Sequence, residues 1–146
     1  MSRIEVLALA LVLVATSHAA SISDARNAIS AAQSAWDANG PISYEFTVRF
    51  HEFILPYCEE QSFRVTRSHV HVLTSVNCHP AKDPVAVGTI PRLLRYARHL
   101  AQQSWLSSDF RFDSKTGVPY DFDVWDESVQ DDFSGFEVTR FVPISP

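Results

Sequence analysis

The chain has 146 residues, 46% of them hydrophobic and 20% charged, and a formal net charge of −5. That composition belongs to one ordinary globular domain and excludes a disordered or fibrous chain. The acidic balance also disfavours nucleic acid as a partner, because a phosphate backbone needs a concentrated basic stripe; the one basic grouping, Arg92, Arg95 and Arg98, reads as the solvated side of a helix.

Residues 1–19 read as a secretory signal peptide: Arg3 opens a short basic region, residues 6–15 are an unbroken apolar run, and Ser17-His18-Ala19 supplies small residues at −3 and −1 of a cleavage site. Ten apolar residues are about half of what a bilayer crossing needs, so no transmembrane segment is expected in the mature chain. Residues 20–146 are then a single exported α+β domain. Removing Arg3 and Glu5 leaves 11 basic and 16 acidic side chains, and the charge is unchanged.

Ile22, Ala25, Ile29, Ala32 and Trp36 recur at helical spacing and predict a first helix, with Ser23 or Asp24 as its cap and Asn39-Gly40-Pro41 as its stop. From Ile42 to Phe50 apolar and polar residues alternate, the period of a half-buried strand; the phase changes at Glu52-Phe53, where a bulge is expected. Phe63 and Val65 mark a second strand, and Val70, Val72 and Val76 a third, with a turn near Arg67-Ser68. In an up-down-up meander Cys58 and Cys78 fall at one edge, and they are the only pair available for a disulfide in an exported chain. Closing a loop of about 20 residues stabilises a fold by roughly 3 kcal/mol in the chain-entropy view.

A loop with Pro80 and Pro84 leads to Thr89, a good helix cap with Pro91 in the first turn. Ile90, Leu93, Leu94, Ala97, Leu100, Ala101 and Trp105 then form the broadest apolar face of the chain, which should cover the sheet. Three strands follow, around Phe110, around Phe122 and around Phe136. Lys115-Thr116-Gly117 suits a three-residue hairpin loop with Gly117 left-handed; in that register Phe112 faces Tyr120, Phe110 faces Phe122, and Arg111 faces Asp121 with Asp123 diagonal to it. The fold expected is α+β, a largely antiparallel sheet of about six strands with two helices on one face, in the order α-βββ-α-βββ.

Candidate chemistry is sparse. Asp121, Asp123, Asp126 and Glu127 form an acidic stretch, but Trp125 stands where a calcium loop needs its third ligand, and no glycine follows. A glycosidase needs two carboxyls facing each other across a cleft. Alternation turns Asp121 and Asp123 outward beside Arg111, so the expectation is hydrated carboxylates of near-ordinary acidity, with Trp125, and Phe53 with it, as outer-face aromatics. His69 and His71 could share a zinc ion with His51 only if the second strand did not lie between them. No Gly-x-Ser-x-Gly and no Gly-rich phosphate loop is present. The reading therefore assigns no catalytic, cofactor-binding or metal residue and no cofactor. It expects a secreted or envelope-associated, non-catalytic binding domain for a protein or small-molecule partner, with a small hydrolase using paired carboxylates as the competing class.

Trp36, Tyr44, Phe46, Cys58, Val65, Ile90, Leu93, Phe112-Asp113, Gly117 with Pro119, Asp123 and Asp131-Asp132 occur in the order of a family pattern. On these residues the chain resembles domain of unknown function 6174, a family of small exported bacterial proteins and lipoproteins. It departs from that pattern in having a single cysteine after the first strand and Arg67-Ser68 in place of an Asp-Gly turn. The resemblance implies an architecture and no reaction.

Overall fold

A computed structural model describes residues 20–52, 58–67, 69–78, 87–103, 105, 107–129 and 132–145. The segment read as a signal peptide, the phase change at Phe53, Pro80, Pro84 and Asp131 lie outside them.

Helix α1, Ile22–Asn39, is capped two residues before Ser23 and three before Asp24, the caps expected from the sequence. Ser21 is the N-cap: its Oγ accepts from the Asp24 N–H, and Asp24 accepts from the Ser21 N–H in return, so two donors that have no partner within the helix are satisfied at once. Asp24 is thus the reciprocal member of the box. Ala25, Ile29, Ala32 and Trp36 are the buried stripe, and the Gly40 N–H closes the end on the Trp36 carbonyl.

Six strands follow the expected order: β1 Ser43–Glu52, β2 Glu60–Thr66, β3 His69–Val76, then α2 Ile90–Ala101, β4 Ser107–Phe112, β5 Pro119–Trp125 and β6 Phe133–Pro143. All pair antiparallel in one sheet, ordered β3-β2-β1-β6-β5-β4. The two meanders therefore join through the first and last strands, and β6 lies between β1 and β5. That insertion decides what the outer face can bring together.

Both helices lie on one face, over Phe46, Val48, Phe63, Phe122, Val124 and Phe136, all buried. Thr89 caps α2 as expected, its Oγ1 accepting from the Arg92 N–H, but the helix stops at Ala101 and Trp105 lies beyond it. The buried phenol oxygen of Tyr44 on β1 accepts from the Ile90 N–H, 3.1 Å away, which ties the start of α2 to the sheet. Burial pushes the phenol up to about 12. Tyr44→Phe leaves that N–H buried and unpaired, so a loss of about 1–2 kcal/mol is expected in urea unfolding.

The edges differ. Ala20 bridges to Ser108, donating to and accepting from its backbone, and so covers part of β4. Among the described residues no strand pairs with the outer edge of β3; its register with β2 shifts at Ser62 and Phe63, and Val72, Leu73 and Val76 are exposed rather than core. Cys58 and Cys78 form the expected disulfide, one half-cystine buried and the other exposed at the end of β3. The bond is consistent with an extracytoplasmic protein. Among the described residues no helix is long and apolar enough to cross a membrane.

Candidate functional site

The hairpin that carries Asp121 and Asp123 is built from its loop. Asp113 Oδ1 accepts from the backbone N–H groups of Lys115 and Thr116 and from the Thr116 hydroxyl, and Gly117 takes φ +76°, the left-handed conformation the sequence calls for. Those bonds, the Thr116 hydroxyl first, hold the Asp113 carboxyl below the usual range. Phe110 pairs with Phe122 and Arg111 with Asp121, as expected. The register then shifts, so that Phe112 faces Pro119 and not Tyr120. The expected Arg111–Asp121 ion pair does not form; the Arg111 guanidinium stacks 5.5 Å from the centre of the Tyr120 ring.

Two rows of side chains cross the outer face. Along the first, Glu60, Arg49, Glu137, Asp121 and Arg111 are successive neighbours from β2 to β4. Arg49 reaches Glu60 at 3.0 Å and Glu137 at 3.7 Å, while Glu137 and Asp121 are like charges directly opposed. Along the second, His51, Gly135, Asp123 and Asp109 run from β1 to β4. His51 and Asp123 stand two strand spacings apart, about 9.6 Å. Yet His51 Nδ1 lies 3.1 Å from Asp123 Oδ1. Gly135 makes this possible, since it offers no side chain between them, and a Cβ there would collide with Asp123 Oδ1 and the Phe122 carbonyl. Trp125 and Phe133 pair across the next row. Together with His51, Asp109 and Asp123 they line a shallow hollow of about 340 Å³.

This geometry corrects the expectation of hydrated, ordinary carboxylates. Asp121 and Asp123 are half-buried, and both pKa values are raised. For Asp121 the cause is burial, then repulsion from Asp123 and Glu137. For Asp123 it is burial again, opposed by the hydrogen bond and charge of His51. Asp121 Oδ1 is buried with no hydrogen-bond partner among the described residues. The physical reason is β6, which places Glu137 beside Asp121 and lets His51 lean over Gly135.

The other acidic residues of the stretch serve the β5–β6 connection. Asp126 Oδ1 accepts from the hydroxyl and N–H of Ser128, which lowers its pKa, and Glu127 accepts from the Ser107 hydroxyl. His69 and His71 are exposed on β3, with β2 between them and His51, as expected. Two larger hollows lie elsewhere, about 530 Å³ beside Arg92, Arg95 and Arg98 on α2 and about 480 Å³ between α1 and Phe110 and Phe112. Neither sets a histidine against a carboxylate.

Folding raises the pKa of Asp121 and Asp123, so the folded chain holds these protons more tightly than the unfolded one. The resulting penalty is full above the raised values and is relieved as the pH falls through them. Glu45 (bonded to Arg64 and Arg140), Asp113 and Asp126 are depressed, and their contribution is lost as the pH falls through lower values. Stability should therefore rise on leaving neutral pH and fall only in stronger acid. Asp121→Asn removes part of the penalty and is expected to gain about 0.5 kcal/mol at neutral pH, the size of a screened like-charge pair on adjacent strands. Its advantage should shrink in mild acid, as read by urea unfolding across the carboxylate range.

The residues not anticipated are Glu137, Asp109, Phe133 and the pairing of His51. A signal for them existed: a lone glycine inside the β6 pattern marks a close approach. In comparisons with known proteins, no family model, no curated protein and no solved structure matches this chain.

Proposed function

We propose that the chain is an exported, non-catalytic binding module that takes a positively charged ligand on the outer face of its sheet. The observation that carries this reading is a hollow lined by Asp109, Asp123, His51, Trp125 and Phe133, with Asp121 and Glu137 in the adjoining row of the same face. Arg49 is shared with Glu60, and Arg111 is turned onto Tyr120, so acidic charge is in local excess. Carboxylates beside a half-buried indole that lines the hollow suit a cation, by charge and by the ring face together. The signal-peptide pattern read in residues 1–19 and the disulfide support an extracytoplasmic setting.

The competing hydrolase reading draws on two adjacent carboxylates whose pKa values are raised. It is less well supported, because the hollow is shallow and Asp121 and Asp123 stand side by side on β5 rather than facing each other across a cleft.

The test is calorimetric titration of the exported chain with a lysine- and arginine-rich peptide at low salt. Binding weakened about fivefold, near 1 kcal/mol, by Trp125→Ala or Asp123→Asn and unaffected by Arg95→Ala on α2 is the expected result. Equal or tighter binding of an acidic peptide would overturn it.

A further inference from the structure

One ring nitrogen of His51 and one carboxylate oxygen each of Asp121 and Asp123 lie within 4.8 Å of one another. We infer that these three side chains bind one divalent transition-metal ion of the zinc class, an inference that rests on the outer face being the module's binding surface. Residues at i and i+2 of β5 share a face, so both carboxylates are delivered by one strand. The imidazole comes from β1, across the gap that Gly135 leaves in β6.

The spacing suits such an ion. Nitrogen and oxygen ligands around tetrahedral zinc stand about 3.3 Å apart. His51 Nδ1 and Asp123 Oδ1 are already 3.1 Å apart. An Asp121 oxygen lies within 4.8 Å of both, so a side-chain rotation would close the triangle.

Two further observations set this cluster apart from a solvated acidic patch. Asp121 Oδ1 is an acceptor shut off from water with no donor among the described residues, and the guanidinium of its cross-strand neighbour Arg111 is held over Tyr120. Glu137 Oε2 lies 3.9 Å from His51 Nε2. That is an electrostatic contact and not a hydrogen bond; a small rotation on ion binding would let Glu137 accept from the Nε2–H and leave the Nδ1 lone pair for the ion. One imidazole and two carboxylates suit zinc and its neighbours, whereas calcium takes oxygen ligands only. Three protein ligands leave a fourth position for water or for a group of the partner.

The experiment is calorimetric titration of the exported, chelator-treated chain with zinc chloride alone, with thermal unfolding as a check that each variant folds. One ion per chain is expected, bound about tenfold or more weakly by His51→Ala and by Asp123→Asn and unchanged in the His69→Ala, His71→Ala double variant. Cobalt substitution gives a second readout, a visible absorption band of tetrahedral type that His51→Ala removes. The inference is overturned if the wild-type chain binds no zinc, if His51→Ala and Asp123→Asn bind it unchanged, or if only the β3 histidine variant loses it. A chain that binds the basic peptide without zinc loses this inference and keeps the binding surface; a chain that binds neither loses both.

Discussion

Gly117→Val is expected to lower stability by about 3 kcal/mol or more, because two independent penalties fall on one residue. The first is conformational: φ is +76°, a region that β-branched residues resist. The second is steric. A Cβ on Gly117 would overlap the carbonyl oxygen of Ala32 and crowd the backbone nitrogen of Trp36, so the hairpin tip is seated directly on α1. Backbone cannot give way as a flexible side chain can. The Asn39 side chain donates to the Lys115 carbonyl at the same junction, so lifting the tip also breaks that bond. Urea unfolding should show the loss, with Gly117→Ala between the two; an unchanged midpoint for the valine variant would mean that the tip does not rest on the helix.

Replacing Cys58 and Cys78 together by alanine is expected to cost about 3 kcal/mol, the loop-closure entropy of a separation of 20 residues. The loss should be unevenly spread. β3 is an edge strand held by β2 on one side, largely exposed, and the disulfide anchors its end to the chain entering β2. Hydrogen exchange should therefore show amides of β3 losing protection first, with those of β1 and β6 following only at global unfolding. Equal loss across the sheet, or a midpoint unchanged by reduction, would contradict this.

The periodicities made most of the fold legible. Alternation in β1 and β5, the stripe Ala25, Ile29, Ala32 and Trp36, and the Thr89-x-Pro91 start of α2 each encode local geometry in a few neighbouring residues. The hairpin register was legible at Arg111 and Asp121, because loop length and Gly117 fix it. It failed at Phe112, where a bulge beside Pro119 takes up one residue. What could not be read was the pairing of β1 with β6, about ninety residues apart in the chain. Local pattern carries no information on which two meander edges meet, and the site depends on that meeting. His51 and Asp123 each look like isolated polar residues on a wet strand until Gly135 is placed between them.

The most direct test of the outer-face arrangement is a carbon-detected NMR titration of the carboxyl groups in the metal-free chain. The side chains of Asp121 and Asp123 are predicted to titrate above the ordinary aspartate range, and Asp113 and Asp126 below it. Asp123 should move higher still in His51→Ala, because the imidazole is what restrains it. Ordinary titration of both Asp121 and Asp123, with no response of Asp123 to the loss of His51, would contradict the account.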